Sequence, residues 1–227
     1  ACLAAAGKKV LIVDLDPQGN ATQGVGLDKN AQETTVYDAI ANGSAADLIV
    51  QTEMENLSVL PANRELAGAE VELVDAEQRE YRLREALAPL AGNYDYIFID
   101  CPPSLGLLTL NGLVAAEGIL ITLQCEYYAL EGLSALLQTI MLVRDKLNPN
   151  LAVAGVLLTM YQHTNLAKQV IDDVRAHLGD KVFKTVIPRN VTLSEAPSFG
   201  QPVIYYDLKS QGAQAYMALA RELIARG

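Results

Sequence analysis

The sequence predicts an α/β fold, in which a mostly parallel sheet is doubly wound, with helices on both faces. Short apolar runs rich in Val and Ile recur along the chain, and longer segments of helical period separate them. This alternation is typical of parallel strands that crossover helices bury on both faces. The chain has 227 residues, 51% of them hydrophobic, which is ample for one well-cored domain and too short for two of ordinary size. We therefore expect residues 1–227 to form a single domain.

Six apolar runs are the predicted strands, and segments of helical period lie between them. The clearest strands are at 10–13, 96–99, 118–123, 153–159 and 185–187, and a weaker one is at 57–60. The predicted helices are at 35–42, 76–91, 106–116, 130–146, 166–178 and 212–226. The connections are short except at 14–34 and 188–211. Long loops in such folds often carry function, so these two stretches are the first places to look for a site.

The start of the chain predicts the end of a helix, with Gly7 as its stop and Lys8 and Lys9 leading into the first strand. These residues are not a phosphate-binding loop, because the residue five before Gly7 is Cys2 rather than Gly and the run precedes a strand. An enzyme acting on nucleoside triphosphates needs such a loop between its first strand and first helix. We expect the chain as given to lack that strand, that loop and half a helix, about two dozen residues.

Composition excludes several classes of protein. There are 27 acidic and 17 basic side chains, so any attraction to DNA needs a local basic patch acting against a net charge of -10. The cysteines Cys2, Cys101 and Cys125 form no CxxC pair, so we expect reduced, mostly buried thiols. The apolar start lacks the order of a signal peptide, and no apolar run approaches the roughly 20 residues of a membrane span. We expect a soluble cytoplasmic protein.

Two predicted strands end in carboxylates. Residues 10–13 are followed by Asp14 and Asp16, and residues 96–99 by Asp100. In an open parallel sheet, ligands bind beyond the carboxyl ends of the strands. An apolar strand ending in Asp is the Walker B arrangement, in which the carboxylate orients Mg²⁺ beside a bound triphosphate. Two carboxylates and the amide of Asn20 in one loop suit metal contact and the positioning of water in phosphoryl transfer.

These carboxylates have two other interpretations, helix capping and calcium binding, and the sequence disfavours only the second. Asp100 could instead cap the helix predicted near residue 106, which is a common use of Asp. The pattern from Asp14 to Asn20 could also begin a calcium loop, but the twelfth position, which needs a bidentate Glu, is Val25. Calcium is therefore disfavoured, and the capping interpretation stays open.

Several motifs in order resemble the ParA/Soj group of deviant Walker ATPases. The first two are VDLDPQGNAT at 13–22 and IDCPPS at 99–104. The others are LAGAEVEL at 66–73, QCEYYALEG at 124–132, LLTM at 157–160, VIPRNV at 186–191 and SEAPSFG at 194–200. Each is a weak signal alone, but together they cover essentially the whole chain in the family's order. The fold that the resemblance implies is that of a P-loop NTPase.

The resemblance implies an ATPase that uses ATP and Mg²⁺ to partition chromosome or plasmid DNA. Asp16 would match the acid that is critical for hydrolysis, and Asp100, together with Asp16, would contact the metal. Residues implied in cofactor binding lie in the phosphate-sensing loop and near the adenine: Asp14, Gln18, Gly19, Asn20, Met160, Pro188, Arg189 and Asn190. Without the phosphate loop, the chain as given is expected to be inactive.

The resemblance also implies partners: non-specific DNA, a ParB-type centromere-binding protein and a second copy in an ATP-dependent homodimer, with the protein associated with the nucleoid and not with a membrane. The family places basic residues near the positions of His163 and Thr192, and neither carries a full charge here, so DNA binding is expected to be weakened. Lys168, Lys184, Arg189 and Lys209 could compensate. Tyr127 and Tyr128, just after a buried strand, are expected to pack in the fold or at the dimer face.

Three alternatives stay open. A MinD-like regulator would end in a basic amphipathic helix on the membrane, whereas residues 215–227 carry two Arg, one Glu and much Ala, which favours a packed terminal helix. An ATPase that positions another cargo would share the same switch residues. A truncated, non-catalytic binding module would keep only the partner contacts.

Overall fold

The computed structural model describes residues 1–226. Their contacts divide into two units, the first of residues 1–116 with 196–202 and the second of residues 117–195 with 203 onward. Each unit has its own sheet. The expectation of a single domain stays a prediction. The described residues contain no helix that is both long enough and apolar enough to cross a membrane.

The first unit is built on a four-stranded sheet of order β2-β3-β1-β4. Its strands are β1 (Val10–Asp14), β2 (Val50–Gln51), β3 (Leu57–Leu60) and β4 (Tyr96–Asp100). Its helices are α1 (Cys2–Ala5), α2 (Asn20–Gly24), α3 (Val36–Asn42), α4 (Leu66–Glu72), α5 (Arg82–Leu87) and α6 (Leu107–Ala115), with 3-10 turns at Lys29–Ala31, Leu73–Asp75, Ala88–Leu90 and Ala196–Phe199. Strand β1 runs parallel to β3 on one side and to β4 on the other, and only β2 is antiparallel.

The core of the first unit forms around β1. Leu11 and Val13 are fully buried and pack with Leu66 of α4, Leu83 of α5 and Leu108 of α6. A strand with a neighbour on each side and helices against it has no solvent face, which is why residues 10–13 are continuously apolar. The same packing holds the carboxyl end of β1 in a fixed place.

The second unit contains a three-stranded parallel sheet of order β5-β6-β7. The strands are β5 (Gly118–Gln124), β6 (Ala152–Tyr161) and β7 (Val182–Pro188). The helices are α7 (Ala129–Lys146), α8 (Asn165–Leu178), α9 (Val191–Glu195), α10 (Val203–Tyr206) and α11 (Gln211–Arg226), with a 3-10 turn at Gly179–Lys181. Leu157, Phe183, Ile187 and Leu219 form a core between the sheet and α11.

Strand β7 lies at an edge of this sheet, and α11 covers part of that edge. Glu222 accepts hydrogen bonds from the backbone nitrogens of Lys184 at 2.7 Å and Thr185 at 2.9 Å. Arg226 donates to the Val182 carbonyl at 3.0 Å and lies 4.0 Å from the centre of the Phe183 ring. A carboxylate that pairs with strand N–H groups removes donors that would otherwise recruit another strand.

The predicted strands are confirmed, and the α/β class with mostly parallel pairing is confirmed with them. The helix predicted at 76–91 was too long, since it begins at Arg82 and becomes a 3-10 turn at Ala88–Leu90. The reason is local, because Gln78 has a left-handed φ of 53°, which an α-helix cannot accommodate. The elements missed by the sequence are short: β2, α2, α4, α9 and α10.

Candidate functional site

The carboxylates after β1 and β4 come together in the first unit. Asp14 and Asp100 are register partners in the parallel pair of strands, and the backbone nitrogen of Leu15 donates to the Asp100 carbonyl at 2.8 Å. The negative charges of Asp14 and Asp16 both act on Asp100. The structure therefore gathers the three acids that the sequence placed at the carboxyl ends of two strands.

Asp14 is completely buried and holds its own loop. Its Oδ2 atom accepts hydrogen bonds from the backbone nitrogen and the hydroxyl of Thr22, both at 2.7 Å, and its Oδ1 atom accepts from the Asp16 nitrogen at 3.2 Å. Burial raises the pKa of Asp14, and the hydrogen bonds from Thr22 lower it in part. This geometry gives Asp14 a positioning role, and the direct cofactor contact predicted for it stays a prediction.

Asp16 stands at the start of a tight turn. Its Oδ1 atom accepts from the Gln18 nitrogen at 2.9 Å, and its carbonyl accepts from the Gly19 nitrogen at 2.8 Å. These bonds leave the Asp16 Oδ2 atom for another donor or a cation, since a carboxylate has about four acceptor positions. Asn20, the first residue of α2, is exposed at the end of the same turn.

Gly19 is the residue that this turn requires. Its φ of 62° is left-handed, and a Cβ atom there would lie 2.9 Å from the Ala62 carbonyl and 2.9 Å from Cδ of Lys29. Lys29 also donates from its ammonium to the Gln18 carbonyl. Gly19 therefore lets the turn approach the loop after β3, and Lys29 covers the turn on another side.

Asp100 is the open carboxylate of the group. It is exposed at the end of β4, and desolvation together with the charges of Asp14 and Asp16 raises its pKa to about 6. Helix α6 begins after Gly106, with no side chain capping it. The capping interpretation of Asp100 is therefore wrong, and the carboxylate is available to a cation.

The loop after Asp100 is held against α6 by close packing. A Cβ atom on Gly112 would lie 2.6 Å from the Cys101 sulfur, and the Thr109 hydroxyl donates to the Ser104 carbonyl at 2.6 Å. Burial, and then the charge of Asp100, raise the pKa of Cys101 to about 11, so this thiol stays protonated at neutral pH. Cys101 is half-buried and free, as are Cys2 and, more deeply, Cys125, which agrees with reduced thiols.

The donor set fits Mg²⁺ better than a cage formed by protein alone. Within residues 1–226, no group of three or more His, Cys, Asp or Glu side chains converges to hold a metal ion. Mg²⁺ usually takes one or two carboxylates and completes its shell with phosphate oxygens and water. Asp100 and Asp16 are carboxylates of this kind, so the residues present fit a magnesium ion that arrives with a phosphate ligand.

The residues predicted near an adenine lie in the second unit, where β6 and β7 end. Tyr161 and Pro188 are register partners, and the Arg189 nitrogen donates to the Tyr161 carbonyl at 2.9 Å. Met160 has a left-handed φ of 55° and is 43% exposed, which is unusual for a large non-glycine residue. The Oδ1 atom of Asn190 is buried and has no hydrogen-bond partner within the described chain. A strained residue and an unsatisfied buried acceptor, at the ends of two neighbouring strands, are features that occur in binding sites.

The remaining predicted positions are at the surface of the same unit. His163 is exposed and pairs with Tyr161 through its ring, with 3.3 Å between the Tyr161 hydroxyl and Nδ1. Tyr127 and Tyr128 are 74% and 73% exposed. The prediction that these tyrosines pack in the fold is therefore wrong, because they lie exposed just before α7. A role at a dimer face stays a prediction.

Sequence reasoning gave no role to Thr22, Lys29 and Ala62. The Thr22 hydroxyl bonds both Asp14 and Ala62. The only signal in the sequence is that an Asp precedes a Thr by eight residues across a turn containing Gly19. Ala62 follows β3, and no local pattern predicts that its backbone meets a loop 40 residues earlier.

Comparison with known proteins gives consistent relatives. A protein-family model described as an AAA domain matches residues 1–153. The chain is 57% identical to the sporulation initiation inhibitor protein Soj of Bacillus subtilis, over all of this chain and 90% of that protein. It is 55% identical to the chromosome partitioning protein ParA of Myxococcus xanthus, over all of this chain and 81% of that protein.

Solved structures agree with this comparison. Cobyrinic acid a,c-diamide synthase from Mycobacterium smegmatis, with bound ADP and magnesium, is 38% identical with a TM-score of 0.83, over 98% of this chain and 84% of that one. The cell division ATPase MinD of Pyrococcus furiosus is 25% identical with a TM-score of 0.76, over 100% and 90% of the two chains.

Proposed function

The chain belongs to the ParA/Soj family of partitioning ATPases, and we propose that it acts in the ATP-dependent segregation of chromosome or plasmid DNA. The observation that carries the proposal is the open carboxylate of Asp100 beside the held turn of Asp16. Three acids at the ends of two neighbouring strands repel one another, and a cation bound with phosphate would stabilise their arrangement. The protein would bind Mg²⁺ and ATP at this edge of the first sheet.

Each acid has a distinct proposed role. Asp100 orients Mg²⁺, and Asp16 accepts a hydrogen bond from the attacking water and contacts the metal's shell. Asp14 holds the turn that carries Asp16, while Gln18, Gly19 and Asn20 form the part of the turn that senses phosphate. Bound Mg²⁺ supplies the positive charge that neutralises the developing charge on the phosphate oxygens.

In the second unit, Met160, Pro188, Arg189 and Asn190 are proposed to contact the adenine base. The buried Oδ1 atom of Asn190 supports this role, because it is an acceptor of the kind that an exocyclic amine satisfies. The exposed side of Met160 offers a polarisable apolar surface. The related cobyrinic acid synthase, crystallised with ADP and magnesium, supports nucleotide and metal as the ligands.

The partners are proposed from family membership. An ATP-dependent homodimer would bind non-specific DNA and be stimulated by a ParB-type centromere-binding protein. His163 and Thr192 weaken the DNA contact, and Arg189, Lys168, Lys184 and Lys209 are the cations of the second unit that could supply it. Association with the nucleoid would follow from DNA binding.

The test is ATP hydrolysis by the complete gene product that contains this chain, with and without non-specific duplex DNA, beside Asp16→Ala. We expect hydrolysis that requires Asp16 and rises with DNA. Hydrolysis that requires Asp16 but ignores DNA would transfer the proposal to a positioning ATPase for another cargo. Absence of hydrolysis in the unaltered protein, with retained partner contacts, would support a non-catalytic binding module.

A MinD-like membrane regulator is the less favoured candidate. The side chains of Glu222 and Arg226 in α11 are both hydrogen-bonded to the backbone of β7. Leu219 and Ala220 of the same helix are buried. A helix whose apolar side chains are buried and whose charged side chains are hydrogen-bonded within the fold presents little surface that could bind lipid. Vesicles of anionic lipid should therefore not sediment the protein in the presence of ATP.

A further inference from the structure

One buried hydroxyl, that of Thr22, bonds both Asp14 at the end of β1 and the loop after β3. Thr22 Oγ1 donates to Asp14 Oδ2 at 2.7 Å and accepts from the backbone nitrogen of Ala62 at 3.0 Å. Both Thr22 and Ala62 are fully buried. A hydroxyl has only one proton to donate, so the Ala62 N–H and the Asp14 carboxylate fix the direction in which it points.

The same two loops meet at a second point, two residues beyond Pro17. Gly19 approaches the Ala62 carbonyl so closely that a Cβ atom would lie 2.9 Å from it. The turn that carries Asp16 therefore rests on Ala62 through both the carbonyl and the N–H of one peptide segment. Of the two contacts with Ala62, the one through the Thr22 hydroxyl is made by a side chain, and it reaches Asp14 as well. Farther along the same loops, the Asn63 side chain donates to the Gln32 carbonyl at 3.4 Å.

We propose that Thr22 is a positioning residue for hydrolysis, which holds the Asp16 turn at a fixed distance from the loop after β3. The proposal rests on the ATPase function proposed above. Thr22 is buried and does not face a ligand, so its effect on the reaction passes through Asp14 and the turn. Removal of the hydroxyl leaves the buried Ala62 N–H without its partner, and the loops must move apart or tilt to satisfy it.

A positioning role has a kinetic signature that a purely structural role lacks. Thr22 contacts none of the residues proposed to hold the adenine base, so the part of ground-state binding that those residues supply should survive its loss. Displacement of a catalytic group by about 1 Å can lower a rate by about a hundredfold. The expected change is thus a fall in kcat with little change in nucleotide affinity.

The experiment compares Thr22→Val and Thr22→Ser in the complete gene product, with kcat from ATP hydrolysis and Kd from a fluorescent ATP analogue in the presence of Mg²⁺. We expect Thr22→Val to lower kcat by about 10- to 100-fold with Kd within about threefold, and Thr22→Ser to restore most of the rate. The matched control is Thr52→Val, whose hydroxyl likewise bridges two backbone segments: it lies 2.8 Å from the Leu57 carbonyl and 3.2 Å from the Met54 carbonyl, and it accepts from the Met54 nitrogen at 3.1 Å. Because Thr52 lies before the amino end of β3, its loss should leave kcat unchanged.

The outcomes separate the two proposals. Absence of hydrolysis in the unaltered protein contradicts the ATPase function itself. Normal hydrolysis there, together with an unchanged kcat in Thr22→Val or an equal fall in Thr52→Val, overturns the positioning role alone. If Thr22→Val does not fold, amide exchange in the unaltered protein decides, since the Ala62 amide must be strongly protected, and rapid exchange at that amide would contradict the proposal.

Discussion

At the residue scale, three acids share one edge of the sheet at the expense of stability. Asp14 is buried, Asp16 is half-buried and Asp100 is exposed, and desolvation, followed by the charges of Asp14 and Asp16, raises the pKa of Asp100. The hydrogen bonds that hold Asp14 come from Thr22 and the Asp16 backbone. These donors are uncharged, so they do not neutralise the repulsion among the three acids. Sites that bind a cation commonly destabilise the fold that carries them.

Replacement of Asp100 tests this cost. The pKa of Asp100 is raised from its ordinary value of 3.8 to about 6. An acid whose pKa is higher in the folded chain destabilises the fold above that pKa, and the cost disappears below the ordinary value. We expect Asp100→Asn to stabilise the metal-free protein at pH 8 by about 1 kcal/mol, a value reduced for solvent screening at an exposed group, and to have no effect near pH 3.5.

Urea unfolding at several pH values measures this difference, with the exposed Asp47→Asn as a control that should be neutral throughout. Asp100→Asn should also abolish the stabilisation of the protein by Mg²⁺ with nucleotide. An Asp100→Asn variant that is less stable than the unaltered protein at pH 8 would contradict the repulsion argument.

Gly19 provides a second prediction at this scale. Gly19 and Gly43 both have left-handed φ values, 62° and 78°, but only at Gly19 would a Cβ atom meet backbone, since nothing lies within 4 Å of the corresponding position on Gly43. Gly43→Ala should lower the free energy of unfolding by about 1 kcal/mol, the cost of the conformation alone. Gly19→Ala should cost about 1–3 kcal/mol more, because the Ala62 carbonyl must move.

Chemical denaturation of the two variants gives the difference directly, and ATP hydrolysis adds a second reading. Gly19→Ala should lose hydrolysis, whereas Gly43→Ala should keep it. Equal destabilisation of the two variants would show that the loops after β1 and β3 are not in rigid contact.

At the element scale, the edge of the second sheet depends on α11. Burial alone raises the pKa of Glu222, but hydrogen bonds from Lys184, Thr185 and Arg226 outweigh it and lower the pKa below the ordinary 4.5. An acid whose pKa is depressed by folding adds stability above its ordinary pKa, and that stability is lost as pH falls through the depressed value. Glu222→Gln should therefore destabilise the protein at pH 7 by about 1–2 kcal/mol.

The difference between Glu222→Gln and the unaltered protein should shrink steadily below pH 4.5 and vanish in strong acid. Glu53→Gln, at an exposed position between β2 and β3, is the control and should be neutral. Thermal unfolding across pH measures both. A pH-independent loss in Glu222→Gln would mean that packing of the side chain, and not its charge, stabilises the edge.

Long or buried elements were predictable from the sequence. Short elements that are held by contacts with residues distant in the sequence were not. The continuous apolar run of β1 and the capping box of Thr35 and Asp38 on α3 are local signals. Helix α2 has five residues and starts from a left-handed Gly19, and the bond from the Thr22 nitrogen to Asp14 ties it to the end of β1. The acids of the site were predictable because strand ends are visible in sequence, but the hydroxyl that holds them was not.

At the scale of the whole molecule, the net charge of -10 opposes the binding of DNA. A protein can overcome such a field only by concentrating cations on one face, since the phosphate contact is local and displaces counterions there. His163 is exposed and Thr192 is half-buried, and both lie in the second unit. In the sequence, His163 is close to Lys168 and Thr192 is close to Arg189. The resemblance to the family predicts that these are two positions where cations that contact DNA are missing.

Restoration of the two cations tests whether the patch or the total charge limits binding. His163→Arg with Thr192→Arg should increase affinity for non-specific duplex DNA and steepen the dependence of log K on log salt by about 1.8, since each new phosphate contact adds about 0.9. The matched control, Ser134→Arg with Gln138→Arg on the exposed side of α7, adds the same charge elsewhere. Fluorescence anisotropy in ATP at several salt concentrations measures both slopes. A control that gains as much as the test pair would mean that the overall field governs binding, and the proposed DNA-contacting face would then have to be abandoned.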